Sequence, residues 1–222
     1  MARGKFITLE GGEGVGKSTQ ARLLAEHLRS HGQDVVVTRE PGGSPLAERI
    51  RDLVLDPATP PHSQLAEALL FHAARADHLD ALVRPALDRG QWVICDRFFD
   101  STRVYQGTVG GLERRVIDAL DEIVVAGTVP DLTEVIDLDP AVGMARAQSR
   151  RVGGMASPAP ADRYEARAAD YHERLRDGFL AIAQTEPMRC VLVDGLQSVD
   201  ALARDIAGHV DARLLRGRRG GA

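Results

Sequence analysis

Phe6-Ile7-Thr8-Leu9 runs into Gly11-Gly12-Glu13-Gly14-Val15-Gly16-Lys17-Ser18, and the second stretch has the spacing G-x-x-x-x-G-K-S. The glycines admit turns that a Cβ forbids, so successive backbone N–H groups can curl around a cluster of anionic oxygens. Lys17 then sets a point charge at the β- and γ-phosphates of a nucleotide, and the Ser18 hydroxyl suits Mg²⁺. A helix starting near Lys17 turns its positive dipole end to the same phosphates. The context agrees on both sides: a β-branched apolar run precedes the loop, and Leu24 and Leu28 follow at helical spacing. Lys5 and Lys17 are the only lysines in the sequence, so Lys17 does not belong to a general lysine surface. The loop fixes a triphosphate site and leaves the phosphate acceptor open.

Composition narrows the classes. At 222 residues, 44% hydrophobic and 27% charged, the chain suits one globular α/β domain able to bury a substantial core. A net charge of −4 argues against a surface that coats nucleic acid. No apolar run is long enough for a membrane span and no signal-peptide pattern is present, so the expected location is the cytoplasm, with no membrane and no nucleic-acid partner. Cys95 and Cys190 both lie in strand-like runs and read as buried thiols rather than a disulfide. The histidines, His27 and His31 among them, show no triad or ligand spacing and read as surface or core.

Short apolar, β-branched runs at 5–10, 35–38, 92–96, 132–138 and 190–193 suit strands buried on both faces of a parallel sheet. Helical patterns occupy 18–30, 45–55, 63–89, 112–125, 140–149, 163–183 and 199–215. The alternation predicts right-handed βαβ units, an α/β fold with a five-stranded parallel sheet flanked by helices. Ligands in such sheets bind at the carboxyl ends of the strands. Residues 1–215 read as one domain. Residues 150–162, rich in Gly, Pro and Ala between arginines, read as a flexible loop or as a lid, spanning about 146–164, over phosphates. The basic tail, 216–222, is expected to be disordered.

Further candidates follow the strands. Arg39, before Glu40-Pro41-Gly42-Gly43, can fork onto a phosphate, or pair with a glutamate in a surface turn. Asp96 and Arg97 end the third strand, where an acid can serve the metal side and an arginine a second phosphate; a structural ion pair reads the same. Phe71 and Arg75, four apart on a helix, can stack on and hydrogen-bond one base, although Phe71 also suits core packing. Ser101, Thr102, Tyr105 and Gln106 suit a small polar ligand, and a capped helix start explains Ser101 and Thr102 equally well. Arg146, Arg150, Arg151 and Arg163 frame the loop, as charge-neutralising groups or as a solvated basic face.

Together these residues resemble the thymidylate kinase family over nearly the whole chain, to about Leu215. The marks are residues 9–18, Thr38-Arg39-Glu40-Pro41-Gly42-Gly43, Phe71-His72-Ala73-Ala74-Arg75, Asp96-Arg97-Phe98, Ser101-Thr102, Tyr105-Gln106 and Asp162-Arg163. The resemblance implies a P-loop nucleoside monophosphate kinase fold with a mobile lid. It implies transfer of the γ-phosphoryl group of ATP to dTMP with Mg²⁺ as cofactor, and a homodimer. ATP would lie on Gly11, Gly12, Glu13, Gly14, Val15, Gly16, Lys17, Ser18, Thr19 and Arg146, with Mg²⁺ at Ser18 and Asp96. The dTMP phosphate would meet Arg39 and Arg97, and Glu13 the sugar side. Phe71 would stack on thymine, Arg75 meet its carbonyl edge, and Thr102 lie near the base. Tyr105 and Gln106 would form the wall that disfavours a ribose 2′-hydroxyl. The loop carries no arginine, which implies the type whose catalytic arginine lies in the lid, with Arg150 the match and Arg151 beside it; Lys17, Arg97 and Arg150 would be catalytic. Two rivals remain: a P-loop kinase for another nucleoside monophosphate, and a non-catalytic ATP-binding module. A guanine-reading N-K-x-D switch is excluded because the sequence has no asparagine.

Overall fold

The computed structural model describes residues 3–153 and 163–215, with side chains described outside 150–153. Five strands, β1 (Phe6–Glu10), β2 (Val35–Arg39), β3 (Trp92–Asp96), β4 (Leu132–Asp137) and β5 (Cys190–Asp194), form one sheet in the order β2-β3-β1-β4-β5. All pairings are parallel, with Thr8 opposite both Cys95 and Thr133. β1 is central, and the chain reaches its neighbours only through helical crossovers.

The two-residue period of the strands sorts the core. Ile7, Leu9, Trp92, Ile94, Leu132 and Ile136 pack with Leu24 and Leu28 of α1 (Lys17–Ser30) and with Ile206 and Val210 around α9 (Val199–Val210). Phe6, Val93 and Cys95 face the other way, against Leu79, Leu87 and Phe98. Thr8, on the same face as Phe6, meets Thr133 through a buried 2.7 Å hydroxyl pair. Cys95 and Cys190 are buried free thiols, as expected.

Most expected elements appear within a residue or two. α2 spans Pro45–Leu55. The stretch expected as one helix, 63–89, is helical over Gln64–Asp88 in three parts. These are α3 (Gln64–His78), a widened π turn over Leu79–Val83 and α4 (Arg84–Asp88). Pro85 has no N–H to give to the preceding turn, and the wider turn accommodates that loss. A short helix, α5 (Phe99–Thr102), continues as a π turn over Arg103–Val109, a piece the hydrophobic period did not announce. α6 covers Arg114–Val125 and α7 covers Pro140–Gly153, so α7 runs four residues past its expected end. The rest of the expected loop, 154–162, and the tail, 216–222, lie outside the described residues.

One expectation is corrected. The helix predicted over 163–183 is α8 (Ala169–Thr185); residues 163–166 form a turn instead. Tertiary contacts override propensity there. The Tyr164 ring is buried against Tyr105 and Phe71, and Arg163 reaches Glu67 at 3.3 Å and His62 at 3.1 Å.

Candidate active site

The loop after β1 takes the curled form that its glycines permit. Gly11 and Gly14 have φ of +133° and +69°, and a Cβ on Gly14 would fall 1.8 Å from the Gly143 carbonyl oxygen. Gly14 is therefore required twice, by its dihedral and by the close approach of α7. Gly16 precedes α1 in the left-handed region, which leaves the first N–H groups of the helix pointing into the loop. Lys17 is buried; its Nζ donates to the carbonyls of Gly12 at 2.6 Å and Gly11 at 3.1 Å. Burial and the neighbouring Arg97 lower its pKa to about 8, against the pull of Glu13, Asp96 and Glu10. The Ser18 hydroxyl donates to Asp96 Oδ2 at 2.5 Å.

The turn after β3 is built around a strained arginine. Arg97 has φ +70°, a conformation that costs on the order of 1–3 kcal/mol for a residue with a side chain. Glu10 holds the turn: its carboxylate accepts the Phe98 N–H and the Ser101 hydroxyl, both at 2.7 Å. Burial, helped by Asp100, pushes the Glu10 pKa up to about 7. The Arg97 guanidinium donates to Glu13 Oε1 at 2.7 Å, Gly11 O at 3.0 Å and Ser101 Oγ at 3.2 Å, and lies over the Tyr105 ring. Tyr105 also donates to Glu13, at 2.7 Å. Burial opposes the Glu13 charge, yet Arg97, Lys17 and this hydroxyl hold its pKa at about 2. Arg97 is thus paired with Glu13 and Asp96 with Ser18, which replaces the possible Asp96–Arg97 ion pair by two separate contacts.

Two joined clefts open from here. One, of about 610 Å³, is lined by Gly14, Gly16, Lys17, Ser18, Arg39, Arg51, Asp96 and Arg97. Arg39 pairs with Glu48 at 3.0 Å and stays largely exposed. Glu40 turns inward to take Arg75 at 2.8 Å and His78 at 2.9 Å. The second cleft, of about 600 Å³, shares Glu13, Glu40, Arg51 and Arg97 and continues to Phe71, Arg75, Thr102, Tyr105, Gln106, Leu55 and Tyr164. Arg75 donates to Glu40 and, at 3.0 Å, to Thr102, while its Nη1 is buried with no partner. A buried unpaired donor at the wall of a cleft suits a ligand acceptor. Gln106 donates to Glu67 at 2.8 Å. On the other side of the loop, Thr19, Arg146, Gly195, Gln197, Ser198 and Val199 line a further, open cleft, and Arg146 donates to the Gly195 carbonyl at 2.9 Å.

A sequence model of the thymidylate kinase family matches residues 9–206. The chain belongs to the thymidylate kinase family. It is 50% identical over 214 residues to a thymidylate kinase of Caulobacter vibrioides, covering 96% of this chain and 99% of the relative. It is 48% identical to one of a Bradyrhizobium species, covering 96% and 92%. Among solved structures it is similar to a crystal structure of thymidylate kinase from Ehrlichia chaffeensis, with a TM-score of 0.74 and 33% identity over 94% of this chain and 99% of that one.

The fold brings the candidates of this family together with few exceptions. Residues 11–18, Arg39, Asp96 and Arg97 meet at the loop, and Phe71, Arg75, Thr102, Tyr105 and Gln106 share the second cleft. Phe71 is half-buried and lines that cleft as well as touching core. Ser101 and Thr102 lie inside α5 rather than capping it, and Ser101 is turned to Glu10. Arg150 is on the last turns of α7, with its side chain outside the described atoms. Arg163 is tied to Glu67 and His62, away from the loop. Sequence reading missed Arg51, Leu55 and Tyr164, and Gln197 with Ser198 on the far side. Arg51 had a signal: it lies on the same helix pattern as Glu48, which Arg39 engages. Its guanidinium pKa is lowered by burial and by Arg39, the mark of a cationic cluster short of anions.

Proposed function

We propose that the chain transfers the γ-phosphoryl group of ATP to dTMP, giving dTDP and ADP, with residues 1–215 acting as one kinase domain. The observation that carries the reading is the pair of joined clefts. A cationic cleft on the phosphate loop leads into an aromatic one where a buried guanidinium nitrogen of Arg75 lacks an acceptor. A thymine carbonyl supplies that acceptor, and Phe71 and Tyr164 offer rings to the base. Glu13 and Tyr105 would meet the sugar, and Gln106, held by Glu67, would close the wall behind it. Arg39, Arg51 and Arg97 would hold the monophosphate. ATP would lie on residues 11–19 and reach towards Arg146. A non-catalytic ATP-binding module has no use for the second cleft.

Ser18 and Asp96 present hard oxygen donors side by side, the chemistry that Mg²⁺ takes, and would hold it. The ion's contribution is to neutralise charge on the β- and γ-phosphate oxygens. The bond from the γ-phosphorus to its bridging oxygen breaks as a dTMP phosphate oxygen bonds to it. That oxygen is already ionised, so no strong base is needed, and catalysis is positioning plus charge neutralisation. Lys17, Arg97 and Arg150 would share the developing charge. Arg150→Ala is expected to lower kcat more than it weakens dTMP binding, because its contact belongs to the transition state. A kcat within about twofold of the parent would move the role to Arg151.

The test is ADP formation with ATP and Mg²⁺ against dTMP, dUMP, dCMP, CMP, AMP and thymidine. Turnover is expected with dTMP. One methyl group in an apolar pocket contributes about 1–3 kcal/mol, so dUMP is expected to be poorer by about 10–200-fold in kcat/KM but measurable. Equal rates with dUMP would overturn the base-site assignment, and turnover with a different acceptor the choice of dTMP.

We also propose a homodimer through α3 and α6. The supporting observation is exposed apolar side chains on these packed helices: Leu65, Leu69 and Ile123, the last 75% exposed. Light scattering of Ile123→Glu against the parent checks it. No helix among the described residues is long and apolar enough to cross a membrane.

A further inference from the structure

We infer a divalent transition-metal site, of the kind that takes Zn²⁺, formed by His27 in the last turn of α1, His31, the residue that follows α1, and Asp211, the residue that follows α9. The two rings are one helical turn apart on the same face, with centroids 4.4 Å apart. Asp211, 184 positions away in sequence, brings Oδ1 to 2.8 Å from His27 Nε2. One donor atom from each of the three residues falls within 4.8 Å of the others. Metal–nitrogen bonds of about 2.0–2.1 Å in a tetrahedral shell place donors about 3.3 Å apart, so small side-chain rotations suffice.

The chemistry of the second nitrogen supports the assignment. His31 Nδ1 lies 2.9 Å from the His27 carbonyl oxygen, which can only accept. Nδ1 therefore carries the proton and Nε2 keeps its lone pair, the tautomer that ligates. His27 and His31 also lie at the C-terminal end of α1, where the helix dipole favours a cation. Two imidazoles and one carboxylate suit Zn²⁺, Co²⁺ or Ni²⁺ rather than Mg²⁺, so this site and the phosphate site select different ions. Binding forms bonds from the metal to His27 Nε2, His31 Nε2 and Asp211 Oδ1. For Nε2 to ligate, the proton that His27 shares with Asp211 moves through water to His27 Nδ1, and water completes the metal's shell. The ion would clamp the C-terminal turn (Asp211–Leu215) onto α1, where Leu214 already packs.

The full chain, free of affinity tag and treated with chelator, is titrated with Co²⁺ and then with Zn²⁺, without nucleotide or Mg²⁺. The expected result is one Co²⁺ per chain with a visible d–d absorption, displaced by Zn²⁺, and a Zn²⁺-dependent rise in Tm. His31→Ala, at an exposed position, and Asp211→Asn should each weaken binding by at least about tenfold and leave the dTMP kinase rate unchanged. Absence of stoichiometric binding in the parent, or equal binding by both variants, overturns the site. Neither outcome bears on the kinase assignment.

Discussion

Arg97→Met is expected to lower kcat/KM for dTMP by about 10²–10³-fold, the usual loss when one preorganised donor to a charged transition state is removed. Two effects combine. On the proposed assignment, the dTMP phosphate loses a guanidinium. Glu13 also loses the partner that keeps its carboxylate charged, and breaking a largely buried pair costs about 3–5 kcal/mol of stability. The double variant Glu13→Gln with Arg97→Met separates the two: removing the orphaned charge should recover much of the stability and none of the activity. Steady-state kinetics and denaturant unfolding on the three proteins read both quantities. A folded Arg97→Met protein within tenfold of the parent would remove Arg97 from the chemistry and leave it a purely structural role.

Lys17→Ala is expected to reduce kcat by a similar about 10²–10³-fold. Its pH dependence gives a second readout. In the resting protein Lys17 has a pKa of about 8, lowered by burial and by Arg97. ATP phosphates favour the ammonium form, so binding raises that pKa. ATP affinity should therefore be greatest below about pH 8 and fall as pH rises through it, by up to tenfold per unit while the free form loses its proton and the bound form keeps it. Calorimetry at fixed Mg²⁺ from pH 7 to 9.5 should show this slope in the parent and a flat profile in Lys17→Ala. A flat profile in the parent would show that ATP does not reach Lys17.

Legibility followed the range of the interaction involved. The loop at 11–18 depends on neighbours in sequence: glycines with positive φ, a lysine, and a strand and a helix on either side. The central strands β1, β3 and β4 could be read because burial on both faces favours apolar residues; the edge strands β2 and β5, expected to be buried likewise, are partly exposed and were legible by their β-branched residues instead. The short helix at Phe99–Thr102 and the turn at 163–166 could not. The first is held by Glu10 and Asp100 contacts across the sheet, and the second by the burial of Tyr164 on Tyr105. The resemblance to one family carried the base site further than periodicity could, since Phe71 taken alone suits core packing better than a ligand.

By itself, then, the sequence determined the parallel α/β sheet, the phosphate loop and the family, because each is written in spacing within some ten to twenty residues or in the order of several such motifs. Only the tertiary structure decided which charges pair. Arg97 goes to Glu13 rather than Asp96, Glu40 goes to Arg75 and His78 rather than Arg39, and Asp211 comes to His27. Ion pairs form between groups that the crossovers bring within about 3 Å, and that distance depends on the packing of whole helices rather than on separation along the chain.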